Sequence, residues 1–233
     1  MIDFKRKPKT KIDLLKKKVI NLKKKAKTAI VNKGLDNQKA QVVLVLDISK
    51  SMNRLFKDGT IQEVIERILA LALNFDDDKK IDIILFGTRA YKLPSISIDE
   101  IANYVEREIL AEYRIIEATK YAKALDLIYN EYKNNTDEPV FVIFITDGNN
   151  SDKRETTELI RELSKEKVFF QFIGIGKENF PYLEKLDDLS DRYIDNAGFM
   201  KIDDISSIED NELYSLLLNE FPDWIEEAKE KFN

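Results

Sequence analysis

Val42-Val43-Leu44-Val45-Leu46-Asp47-Ile48-Ser49-Lys50-Ser51 is the stretch that decides how the rest of the chain is arranged. Five apolar, mostly β-branched residues in a row suit a strand covered on both faces, as in a parallel sheet flanked by helices. A carboxylate and two hydroxyls follow at alternate positions, where the chain leaves the strand's carboxyl end. In open α/β sheets ligands bind at that edge. Asp47, Ser49 and Ser51 can aim three oxygens at one point, and hard donors of this kind suit Mg²⁺ or Mn²⁺ rather than zinc. The same residues also suit ordinary turns and helix caps.

Val140 to Ile145 repeats the pattern, and at six residues no apolar run in the chain is longer, against the roughly 20 a membrane span needs. Pro139 precedes it, and Thr146-Asp147-Gly148 follows at once. Between the two strands, Asp58-Gly59-Thr60 predicts a turn with Thr60 as N-cap. Ile61 to Asn74 then predicts a helix with Ile61, Val64, Ile65, Ile68, Leu69 and Ala72 on one face. Asp76-Asp77-Asp78 reads as a solvated turn rather than a metal cluster. Ile81 to Phe86 is a strand, and Gly87-Thr88-Arg89 turns it into a short strand over Ala90 to Leu93. So brief a connection requires an antiparallel pair, hence a sheet edge. Further on, the pattern predicts helices over Ile98–Leu110, Tyr121–Tyr132, Thr156–Glu166 and Phe180–Leu186, a buried strand over Val168–Ile175 and an edge strand at Tyr193-Ile194. From Asn211 the chain reads as helical, interrupted before Pro222. Strands alternating with helices argue for a doubly wound, mostly parallel α/β sheet with one antiparallel edge strand and helices on both faces. If the two most apolar strands are neighbours at its centre, Asp47 and Asp147 end side by side.

The chain has no cysteine and no histidine. This excludes disulfides, thiolate metal sites, cysteine nucleophiles, Ser-His-Asp triads and the usual zinc sites. The N-terminus has no apolar signal-peptide core, so a cytoplasmic protein is expected. Charge is divided unevenly: residues 1–40 hold 14 Lys/Arg and three Asp, and the remainder 24 basic and 40 acidic residues, so a segment of net +11 precedes a body of −16. Thr10 to Val31 predicts a basic helix whose Ile12, Leu15, Val19, Leu22, Ala26 and Ala29 form one apolar stripe, stopped by Gly34. We therefore read residues 1–38 as a basic helix and linker, and 39–233 as the main domain with its C-terminal helices. The stripe suits docking on the acidic body, with a partner helix or a membrane surface as the alternative. Nucleic acid is not expected, because Phe4 is the segment's only aromatic residue for stacking.

Asp47-x-Ser49-x-Ser51, Thr119 before a mid-chain helix, and Thr146-Asp147-Gly148 together resemble the three-loop metal-ion-dependent adhesion site (MIDAS) of von Willebrand factor A (VWA) domains. The resemblance covers roughly residues 40–220. Asp58-Gly59-Thr60-Ile61-Gln62, Phe75-Asp76-Asp77-Asp78, the run from Phe170 to Gly176, Asp195-Asn196-Ala197 and the Lys-rich leader are similar to the bacterial tellurite-resistance (Ter) VWA proteins. The resemblance implies that the hydroxyls of Ser49, Ser51 and Thr119 bind Mg²⁺ (or Mn²⁺ or Ca²⁺) directly, while Asp47 and Asp147 hold it largely through water. It implies further that an Asp or Glu of a protein partner completes the coordination, in a stress-response complex that sits in the cytoplasm or against the inner face of the membrane. Two departures stand out. Lys50 replaces the family's usual Gly, and Glu117-Ala118-Thr119 replaces Gly-Gly-Thr, so that Glu117 either adds charge to the metal or occupies the partner's position from within.

The implied function is a non-enzymatic, metal-dependent interaction module. One alternative is a metal-free scaffold that binds acidic surfaces through the basic helix. A Mg²⁺-dependent aspartyl phosphatase with Asp47 as nucleophile is a poorer fit, because it needs a second Asp where Ser49 stands. No GxxxxGK[ST] run supports a P-loop enzyme.

Overall fold

The two apolar runs form the middle of the sheet. A computed structural model describes residues 10–75, 78–133 and 138–232. Its strands are β1 (Gln41–Asp47), β2 (Ile81–Phe86), β3 (Ala90–Ile96), β4 (Val140–Thr146), β5 (Val168–Ile175) and β6 (Ala197–Ile202), in the spatial order β3-β2-β1-β4-β5-β6. All neighbours are parallel except the β2–β3 hairpin. Alternation along β1 and β4 sorts the core into two layers. Val42, Leu44, Leu46, Phe141, Ile143 and Ile145 face one side, and Val43, Val45, Val142 and Phe144 the other.

The helices are α1 (Lys11–Asn32), α2 (Asn53–Lys57), α3 (Thr60–Phe75), α4 (Tyr121–Tyr132), α5 (Lys153–Leu163), α6 (Pro181–Asp187), α7 (Asp210–Leu217) and α8 (Phe221–Lys231). Side chains of α3, α7 and α8 fill the first layer, with Phe141 stacked on Phe221 at 4.4 Å, and those of α4, α5 and α6 fill the second. The basic helix docks: α1 packs across α3 and α7 and buries Val19, Leu22, Ala26, Ala29 and Ile30. Its ends are built by its own sequence. Thr10 and Asp13 form a reciprocal capping box. Gly34, at φ +70°, lets Leu35 N–H reach the Ile30 carbonyl at 3.0 Å, as in a Schellman turn. Lys18 pairs with the buried Glu66 at 2.8 Å, and Lys25 pairs with Asp210 at 2.7 Å. No helix among the described residues is long and apolar enough to cross a membrane.

Three expectations need correction. Ile98–Leu110 is not one helix: turns lead into a π-helical stretch at Val105–Leu110, where the Gln62 side chain accepts the Val105 N–H. The sixth strand is Ala197–Ile202 rather than Tyr193-Ile194, because Phe170 N–H takes the Asn196 carbonyl and the β5 register then runs from Ala197 onward. The C-terminal segment is helical with its break before Pro222, as expected, and Pro222 sits in the first turn of the second helix, where its missing N–H costs nothing. Thr60 is the first residue of α3, and Asp58 takes both its N–H and its hydroxyl. Asp76 and Asp77 lie outside the described residues.

Next to β6, the Glu220 carboxyl lies over Gly198, where a Cβ would meet Glu220 Oε2 at 2.7 Å. Burial, then the charges of Asp187 and Asp195, push Glu220 up to about 7. The folded protein therefore keeps a proton that the unfolded chain has shed, and stability falls as pH rises from about 4.5 to about 7. Glu220→Gln should flatten that part of the profile and raise the melting temperature at pH 8, as scanning calorimetry across pH would show.

Candidate metal centre

Parallel pairing of β1 with β4 sets Leu46 against Ile145, so the next step in register sets Asp47 against Thr146. Asp47 is fully buried. Its Oδ2 accepts the Thr146 hydroxyl at 2.6 Å, and its Oδ1 accepts the Ser49 N–H at 2.7 Å. The second bond folds the chain over into a short 3₁₀ turn, Lys50–Met52. Both serine hydroxyls are thereby brought to the same side, 3.2 Å apart. Ser51 Oγ then donates to Asp147 Oδ1 at 2.7 Å, across the edge between the two strands. The structure thus joins Asp47, Ser49, Ser51 and Asp147 in one hydrogen-bonded set.

Thr119 arrives on a separate segment held from both sides. On one, Glu117 bridges to Ser49, with Glu117 N–H on the Ile48 carbonyl at 3.2 Å. On the other, the Ser151 N–H donates to the Thr119 carbonyl at 3.2 Å. The start of α4 is fixed from the same loop, because the Asp152 carboxylate accepts the N–H groups of Tyr121 and Ala122 at 3.1 and 2.9 Å. Tyr121 OH in turn donates to the Gly148 carbonyl. Thr119 is thus carried between the loop of Ser49 and the loop that follows Asp147.

The two departures from the family pattern find structural accounts. Among the described residues only Lys79, Asn103 and Asp191 are non-glycines at positive φ, so neither Lys50 nor Glu117-Ala118 occupies a conformation that demands glycine. Lys50 is exposed. The Glu117 carboxylate is spent on the β2–β3 hairpin: Oε2 accepts the Thr88 N–H at 2.6 Å and its hydroxyl, and Oε1 accepts Tyr91 OH at 3.3 Å. Gly87 makes room for it, since a Cβ there would meet Glu117 Oε2 at 2.6 Å. Glu117→Ala should release the turn, costing on the order of 2 kcal/mol for the lost charge-assisted bonds. Faster amide exchange at Thr88, with a lower urea midpoint, would register it.

Burial pushes the Asp47 carboxyl up to about 6, helped by the nearby Asp147 charge and opposed by the bonds from Thr146 and Ser49. Burial likewise raises Asp147. Two carboxylates that resist ionising at one edge provide a setting that a cation relieves. Among the described residues no three His, Cys, Asp or Glu side chains converge on one point, so any ion here relies on hydroxyls beside two carboxylates. The donors fit a small hard ion. Neighbouring ligands of octahedral Mg²⁺ lie roughly 3 Å apart, close to the 3.2 Å between Ser49 and Ser51 hydroxyls.

A family model described as the VWA domain found in the TerF C terminus matches residues 39–232. This chain belongs to the TerF-like VWA family. It is 40% identical over 213 residues to YcbR, an uncharacterized protein of Bacillus subtilis, with 90% of this chain and 87% of that one covered. Solved structures share the fold at low identity. The manganese-loaded TRAP protein of Plasmodium vivax matches 78% of this chain and 72% of its own at 20% identity, with a TM-score of 0.55. Proximal thread matrix protein 1 of the mussel byssus, with a zinc-occupied MIDAS motif, matches 78% of this chain and 46% of its own at 17% identity, also at 0.55. Of these two structures, one is thus manganese-loaded and the other holds zinc in a MIDAS motif.

Thr146, Glu117 and Asp152 support this VWA site without having been singled out for that role from the sequence. Thr146 could have been found by aligning the two apolar strands residue for residue. For Glu117 and Asp152 the sequence carries no such signal, because their partners lie on other loops.

Proposed function

We propose that this VWA domain is a non-enzymatic interaction module whose divalent ion links it to an acidic side chain of another protein. Ser49, Ser51 and Thr119 would ligate the ion through their hydroxyls, with Asp47 and Asp147 acting largely through water. The ion supplies an electrophilic position that a carboxylate can fill. The chain's own residues supply the rest: Thr146 orients Asp47, and Asp152 holds the start of α4 behind Thr119. The observation that carries this reading is the bonded set in which Asp47 holds Ser49 N–H and Ser51 joins Asp147. The setting we infer, a tellurite- or stress-response assembly, rests on the TerF description of the matched family model.

Calorimetric titration with Mg²⁺ or Mn²⁺ tests the reading. Wild type should bind one ion, and Asp147→Ala should lose at least tenfold in affinity with an unchanged circular dichroism spectrum. Equal heats for the two proteins would sink it.

A further inference from the structure

We propose that the loops around the candidate metal centre dock an acidic segment of another protein that presents at least two carboxylates and one apolar side chain. This rests on the metal-dependent reading above and specifies the partner's chemistry. The argument starts from how charge is distributed in the four loops. Every acid that builds the site is turned onto a local partner. Asp47 takes Thr146 and Ser49, Asp147 takes Ser51, Glu117 takes Thr88, and Asp152 takes the start of α4. The cations of the same loops are not neutralised. Lys50 stands between the two serines, Lys120 follows Thr119, and Arg89 lies on the hairpin that Glu117 holds. None of the three forms an ion pair among the described residues.

Residues 41–233 as a whole carry 24 basic and 40 acidic side chains. The partners of Asp47, Asp147, Glu117 and Asp152 are neutral N–H and O–H groups, so these four negative charges against the three cations leave the rim at −1 alone and +1 with a divalent ion bound. An acidic partner is therefore repelled by most of the body and attracted at this rim once the ion is in place. Such a field steers encounter and selects the register of docking. One carboxylate is needed for the ion, and three unpaired cations favour further acids beside it.

The apolar requirement comes from Ile116. At 58% exposed it is the most exposed large hydrophobic side chain among the described residues. A single exposed aliphatic residue is ordinary on a protein surface. This one stands three positions before Thr119, on the segment braced against Ser49. A side chain packed on Ile116 would shield the neighbouring charge contacts from water, the arrangement that concentrates binding energy at an interface.

The test selects random peptides displayed on phage against the full chain in Mn²⁺ and elutes them with chelator. Enriched peptides should carry two or more Asp or Glu around an aliphatic or aromatic residue. A synthetic copy of one should bind at least tenfold more weakly to the Lys50→Glu, Arg89→Glu, Lys120→Glu triple variant. It should bind roughly threefold or more weakly to Ile116→Ser. Circular dichroism and Mn²⁺ titration should show both variants folded and still metal-binding. Peptides with a single acid and no apolar preference, or affinity indifferent to the charge reversals, would overturn the proposal. So would the absence of any chelator-eluted peptide from a protein that does bind Mn²⁺. Failure of wild type to bind Mn²⁺ at all would instead remove the metal reading beneath it.

Discussion

Asp47→Asn should stabilise the metal-free protein at neutral pH while weakening divalent-ion binding by at least tenfold. The Asp47 carboxylate sits without solvent contact at the end of a central strand, and burial raises its pKa from 3.8 to about 6. An unfolded Asp releases its proton near pH 4, so between pH 4 and 6 the folded state binds the extra proton and stability falls as pH rises. Above about 6 the loss is complete, at about 3 kcal/mol for a shift of this size. Asparagine removes the charge and keeps the shape. Its carbonyl can still accept the Ser49 N–H, and its amide can donate to the Thr146 hydroxyl. That hydroxyl has the Gly148 carbonyl at 3.3 Å as another acceptor. Alanine would instead strip partners from both groups and destabilise the fold. In wild type a bound ion favours the ionised carboxylate, and an ion at a hundred times its dissociation constant adds about 2.7 kcal/mol. Urea unfolding of both proteins across pH, with and without Mg²⁺, checks all of this. If metal stabilises wild type and Asp47→Asn equally, Asp47 has no part in holding the ion.

Deleting residues 1–34 should cost at least about 5 kcal/mol, a large share of the stability of an ordinary domain. Val19, Leu22 and Ile30 are each at most 5% exposed on the inner face of α1, and burying a side chain of that size stabilises by roughly 1.5–3 kcal/mol. Removing α1 also bares the helices beneath it. In α3, 12 of 16 residues are buried, on all sides of the helix rather than on one stripe, a pattern that requires cover on its outer face as well as its inner one. Truncation leaves Glu66 without Lys18 and Asp210 without Lys25. We expect an insoluble product, or a melting temperature lower by roughly 10–20 °C for a chain of this size. Lys24→Ala, on the exposed side of α1, should leave the melting temperature within about a degree or two. A truncated body as stable as the full chain would mean that the helix only rests on the surface.

Both results bear on how far this protein can be read from its residues. The strands β1, β4 and β5 and the helix α4 were legible because their signals are local. An apolar run of this length, interrupted in β5 only by Gln171 and ending at a carboxylate or glycine, has few other uses. The two carboxylates at one edge followed from placing the most apolar strands at the centre. Less was legible where a neighbour overrides local pattern. Tyr193-Ile194 has strand-like residues, but the β5 register places the pairing at Ala197–Ile202. The stretch before Val105 has helical periodicity, yet it turns and meets Gln62 from α3.

The sequence alone determined the chemistry that is open to the protein: no imidazole, no thiol, and hydroxyls and carboxylates spaced after buried strands. It also determined that residues 10–31 would form an amphipathic helix, since spacing and end caps are properties of the segment itself. Tertiary structure alone decided where that helix lies, that Glu117 faces the hairpin, and that Thr146 holds Asp47. Each of these depends on groups distant along the chain meeting at one place, and periodicity along a segment carries no information about what will stand opposite it.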